Sequence, residues 1–190
     1  MTGAAMAMML ALSAVVAAGV KIKVVHRDKE FNFGSVRTWA WHPEGAGDVK
    51  MVLTADDDPA KMRERVEPTI KQAVEEALTS RGLSMLTNGQ TPQLYVTYYV
   101  LLSTGAHAET AQYFGATTPN WALPEVAEQT TNLRFLEQGS LVLDISSTAN
   151  RTVIWRGVAQ AEIDRSRSEE ERRSRIQQAI KDLIKKLPKS

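Results

Sequence analysis

The sequence predicts an α+β fold: an antiparallel-dominated sheet of about six strands with two helices packed on one face. Three observations carry this. Between Gly139 and Ile163 two stretches of alternating apolar residues flank one short polar turn, the pattern of a β-hairpin. From Gln93 to Leu102 both alternating sets are largely apolar or aromatic, as in a central strand covered on both faces. At 59–81 and 169–187 the apolar spacing is helical, and each stretch has its own start and stop signals.

The chain opens on eighteen uncharged residues, Gly3 to Val20, closed by Lys21 and Lys23. This run resembles the apolar part of an export signal, with Val16 and Ala18 as the small residues before a cleavage after Ala18. No Lys or Arg precedes it, and it is rich in Ala, so an uncleaved membrane anchor is the second reading and a helix packed on the domain the third. The segment Val16-Ala17-Ala18-Gly19-Val20 also resembles a lipobox in which Val20 takes the place of the acylated cysteine. The expectation is therefore a signal-like or anchor segment over 1–20 and a single domain over 21–190, exported to the periplasmic side, membrane-associated at most through 1–20 and not lipidated.

Within the domain, Val20, Ile22 and Val24 alternate with Lys21 and Lys23 as a strand with one buried face. A second strand runs from Val36 to Trp41, with Phe31 and Phe33 anchoring the connection and Pro43, Gly45 and Gly47 ending it. Asp57 or Asp58 caps the first helix, whose apolar stripe is Met62, Val66, Ile70, Ala73, Val74, Ala77 and Leu78. Pro68 is expected to kink or restart that helix, and Gly82 to end it. After the central strand, 103–129 loses all periodicity and forms a long excursion. Thr130 to Leu136 reads as a strand leading into the hairpin. Ser168 and Glu171 form a capping box for the last helix, striped by Ile176, Ala179, Ile180, Leu183, Ile184 and Leu187.

Four pieces of this chain resemble a known family: the aromatic motif Phe33 to Trp41, the Arg81-Gly82 helix end followed by Pro92 to Val100, the paired segments Gly139 to Asp144 and Val153 to Gly157, and the terminal amphipathic helix ending in Leu187-Pro188. Over roughly Ile22 to Pro188 the chain is similar to the bacterial lipoprotein-like group called domain of unknown function 4136. The resemblance implies an exported, often lipid-anchored protein, and Val20 is this chain's departure from that pattern. It implies no established activity and no catalytic residues.

Chemistry-bearing patterns are sparse. The absence of cysteine excludes disulfides, thiolate metal sites and a cysteine nucleophile. A net charge of +1 supplies no field to draw in nucleic acid. His26, His42 and His107 have no acidic companions at metal-ligand spacing, and no Gly-x-Ser-x-Gly elbow exists. Asp56-Asp57-Asp58 reads as capping rather than a cation site, and Trp39, Trp41, Trp155, Tyr95 and Tyr99 as core aromatics rather than a stacking platform. The arginines at 165, 167, 172, 173 and 175, interrupted by glutamates, read as a solvated helix start.

The expectation is a non-enzymatic bacterial cell-envelope protein that binds a partner protein or an envelope component, with no cofactor, no metal and no nucleic-acid partner. The alternative is a small-ligand binder or enzyme using a cleft beside 103–129, with His107, Tyr113 and Trp121 as the contact residues, because a structureless segment of that length is unusual in a compact domain.

Overall fold

A computed structural model describes residues 19–51, 58–87, 89–102, 123–124, 126, 139–161, 164 and 166–189. The strands are β1 (Lys21–Arg27), β2 (Thr38–Trp41), β3 (Gly47–Met51), β4 (Ser84–Met85), β5 (Leu94–Leu102), β6 (Ser140–Ser147) and β7 (Val153–Gln160). Helix α1 (Pro59–Thr79) lies between β3 and β4, and α2 (Glu169–Lys185) closes the chain. The strands form one sheet in the order β1-β7-β6-β5-β2-β4, with β3 also paired to β5.

The α+β class holds, but the sheet is mixed and has seven strands among the described residues, rather than an antiparallel-dominated sheet of about six. Half of it is antiparallel: β6–β7 is the expected hairpin, and β5–β6 and β1–β7 extend it on either side. The other half is parallel. β2 pairs with the first part of β5 (Trp39 opposite Leu94, Trp41 opposite Val96) and β3 with the rest (Gly47 opposite Tyr98, Met51 opposite Leu102). The turn between β2 and β3 stays attached to the same strand, since His42 N–H donates to the Val96 carbonyl and Tyr98 N–H to the Ala46 carbonyl. Gly47 is required there, because a Cβ would stand 2.4 Å from both the Tyr98 ring and its carbonyl oxygen. The strand expected at Thr130 to Leu136 lies outside the described residues.

Helix α1 runs through Pro68 as one element rather than restarting there. The missing N–H orphans the Glu64 carbonyl, but both residues lie on the exposed side, where water can serve that oxygen. Its start is as expected: the Asp58 carboxylate accepts from the N–H groups of Ala60 and Lys61 at 3.0 and 3.2 Å. Gly82, at φ +80°, takes the left-handed position after the helix. In α2 the capping box is complete, with Ser168 and Glu171 exchanging bonds.

Both helices pack on one face of the sheet. Ile70, Val74 and Leu78 from α1 and Ile180, Leu183 and Ile184 from α2 share one core with Trp39, Val96, Tyr98, Leu143 and Trp155. Two aromatic donors tie α1 to the sheet: Tyr98 hydroxyl donates to Glu67 at 2.7 Å, and Trp41 Nε1 to Glu75 at 3.1 Å. Arg81 donates to the carbonyls of Leu187 and Pro188, which holds the end of the chain against the end of α1.

The opposite face has a smaller core of Leu101, Val142 and Val158, against which Tyr99 and Leu123 pack. Beside it Asp144 and Arg156, directly opposed on β6 and β7, form a bidentate ion pair with both bonds at 2.6 Å. The Pro124 carbonyl accepts a further bond from Arg156 Nη2 at 2.9 Å. Part of the 103–129 segment, at Leu123 and Pro124, thus covers this face.

Candidate functional site

Between the amino-terminal half of α1, the start of α2 and one end of the sheet, the described residues leave a groove of about 530 Å³. Its floor is apolar because each contributing element turns an alternating or helical stripe inward: Val66 and Ile70 from α1, Val100 and Leu141 from the sheet, Ile176 and Ala179 from α2. Val20, Met51, Leu102 and Gly139 also line it. The last two are the residues at which the chain leaves β5 and returns before β6. The volume lies in the usual range of about 300–1,000 Å³ for small-molecule sites, and the mostly apolar lining is also characteristic of them.

The rim is charged. Arg65 on α1 and Arg167, Arg172, Arg173 and Arg175 around the start of α2 border the groove, with Asp164 and Glu169 as its carboxylates. Asp164 is already engaged: it pairs with Arg167 at 3.1 Å and accepts from the Ser166 N–H and hydroxyl. Those bonds, with the nearby Arg167 and Arg175, hold its carboxyl below the ordinary carboxylate range. The Arg172 guanidinium donates to the Arg167 carbonyl through Nε and Nη2, which fixes it at the helix start. Arg65 and Arg173 have no ion-pair partner among the described residues.

This arrangement differs from the sites the sequence suggests. His107, Tyr113 and Trp121, the expected contacts, all lie outside the described residues. The groove nevertheless sits beside the roots of the segment that carries them. The arginine run reads in sequence as a solvated helix start, and its position on an apolar groove is legible only once α1 and the sheet are in place. Sequence reasoning also misses the Asp144–Arg156 pair. Its signal was present: opposite charges set in the same alternating set of two strands joined by a hairpin.

The remaining candidates resolve into structural roles. Trp39 and Trp155 are fully buried, so no platform of stacked aromatics includes them. The Tyr99 hydroxyl is pushed up to about 12 by burial, with Asp144 adding to the effect and Arg156 opposing it. His42 packs its ring edge-on against Tyr95 at 5.4 Å, and His26 sits opposite Arg156 on the edge strand. Asp58 caps α1, while Asp56 and Asp57 lie outside the described residues. Among the described residues no cluster of three ligands could hold a metal ion, and no helix is long and apolar enough to cross a membrane.

Comparison with known proteins gives one family. The profile described as a domain of unknown function (DUF4136) matches residues 23–189. No curated protein sequence matches significantly. Among solved structures, the chain is similar to a crystal structure of a DUF4136 family protein from Bacteroides thetaiotaomicron at 12% identity and a TM-score of 0.47, covering 88% of this chain and 95% of that one. It is also similar to a PDZ domain protein from Parabacteroides distasonis at 13% identity and a TM-score of 0.45, covering 90% and 38%. A PelC dodecamer from Paraburkholderia phytofirmans follows at 7% identity and a TM-score of 0.39, covering 87% and 97%.

Proposed function

Because this chain belongs to the DUF4136 family, which brings no activity to derive, we propose a role from its own residues: a non-enzymatic bacterial cell-envelope protein that binds an envelope component in the groove between α1 and α2. The groove is the observation that carries the proposal. Floors of this size and apolarity are costly to leave facing water, at about 25 cal/mol for each Å² of apolar surface, and a bound ligand recovers that cost. Support for an envelope location is the uncharged run from Gly3 to Val20 and the positive residues that close it. The concave, small-molecule-sized groove supports an envelope component as the ligand over a partner protein, which would need a flatter surface.

The test is a thermal-shift screen of the full chain against envelope lipids, envelope sugars and divalent metal ions. A ligand at one hundred times its Kd adds about 2.7 kcal/mol of stability. A shift with an apolar ligand, lost in a folded Val66→Trp variant that fills the floor, is the expected result. No shift with any of these classes would overturn the proposal, and turnover of a lipid ester by the pure protein would overturn its non-enzymatic part.

A further inference from the structure

We infer that the ligand of this groove is a single-chain amphipathic anion, a fatty acid, whose acyl chain lies on the apolar floor and whose carboxylate is held at the arginine rim. The inference rests on the proposed groove-binding role and adds the chemistry of the ligand. Five guanidinium groups face two carboxylates around the groove, and one of those carboxylates, Asp164, is taken up by Arg167 and Ser166. The rim is therefore cationic over a floor that is apolar apart from Thr69 and the Ser140 hydroxyl, too few polar groups to serve a sugar or a peptide backbone. A ligand that matches both halves must itself be apolar for most of its length and negative at one end.

The placement of the arginines narrows this further. Arg65 comes from α1 and Arg173 from α2, so each helix contributes a guanidinium to the rim. Neither has an ion-pair partner among the described residues. The guanidinium fork matches a carboxylate with two parallel N–H donors, which a lysine rim would not provide. Arg172, anchored on the Arg167 carbonyl, keeps one more positive group in a fixed position. A cavity of about 530 Å³ suits one chain with a small head rather than a two-chain lipid.

Three amphiphiles of equal chain length separate the terms: dodecanoate, uncharged dodecyl maltoside and dodecyltrimethylammonium, each titrated calorimetrically below micelle formation into the full-length protein. Dodecanoate should bind at least about tenfold tighter than the uncharged probe, the effect expected of one charge-assisted bond. The preference should shrink with added salt. Arg65→Ala with Arg173→Ala should abolish the preference of dodecanoate over dodecyl maltoside in a protein whose circular dichroism spectrum and Tm match the parent's; a preference that survives in that folded variant would overturn the arginine rim as the anion's site. Equal affinity for dodecanoate and dodecyl maltoside, or tighter binding of the cation, would overturn the anionic head group and leave the groove-binding role standing. No binding of any probe would overturn both.

Discussion

Asp144 and Arg156 face each other across β6 and β7 with two bonds of 2.6 Å, and neither side chain is more than 2% exposed. Burial pushes the Asp144 carboxyl up and the guanidinium opposes that push. The pair spans the sheet face that the helices do not cover, and the Pro124 carbonyl completes it. Removing one partner leaves a buried charge alone, whereas removing both leaves none. Arg156→Met should therefore cost about 3–5 kcal/mol, and Asp144→Leu added to it should recover most of that loss. Urea unfolding of the two single variants and the double one measures the cycle; a single-variant loss below about 1 kcal/mol would mean that the pair is solvated.

Next along β7, Gly157 is the floor on which Trp155 lies. A Cβ at Gly157 would stand 2.2 Å from the Trp155 ring and 2.8 Å from Leu183 of α2. Backbone and ring cannot both stay, so Gly157→Ala should cost about 1–3 kcal/mol through overpacking. Trp155→Ala, which empties a fully buried site, should cost about 3–5 kcal/mol. Thermal unfolding with tryptophan fluorescence reads both, and a Gly157→Ala protein as stable as the parent would show that the ring can move aside.

The two helix starts predict a pH dependence. Glu171, bonded to the Ser168 N–H and hydroxyl, and Asp58, bonded to the N–H groups of Lys61 and Ala60, both have carboxyls held below their ordinary values. The unfolded chain then binds protons more readily than the folded one, so stability from these groups is present above the ordinary carboxylate range and is lost as pH falls through it. A Glu171→Gln variant, which keeps an acceptor without the charge, should show a shallower fall in Tm between about pH 5 and pH 3. An unchanged slope would assign the acid sensitivity to other groups.

Helix α2 gives the sheet its cover. Ile180 and Leu183 are fully buried against it, and Arg81 holds the residues that follow. A chain ending before Ser168 should expose Trp155 and its neighbours and unfold or aggregate. A monomeric product with the parent's melting temperature would contradict this packing.

The amino-terminal run predicts delivery to the periplasmic side of a bacterial host without acylation, because Val20 has no thiol. Val20→Cys should turn the product into an acylated, membrane-bound form. Fractionation with mass spectrometry of the amino terminus checks both, and an intact chain in the cytoplasm or an unmodified thiol would refute them.

The sequence by itself determined the elements whose apolar periodicity is local: the central strand β5, the β6–β7 hairpin, and two helices with their caps at Asp58 and Ser168. It determined the burial of Trp155 too, since period two assigns it to the inward set. Only the tertiary structure decided the rest. β3 and β4 are short, and their parallel pairing depends on a distant strand edge, so neither carries a turn or an alternation to announce it. Pro68 reads as a break because the helix bond it removes is local, while the packing of Ile70, Val74 and Leu78 that carries the helix through it is not. The groove is the clearest case. Its floor and rim come from widely separated parts of the chain, and a cavity is defined by what the packed elements fail to fill, which no stretch of sequence encodes alone.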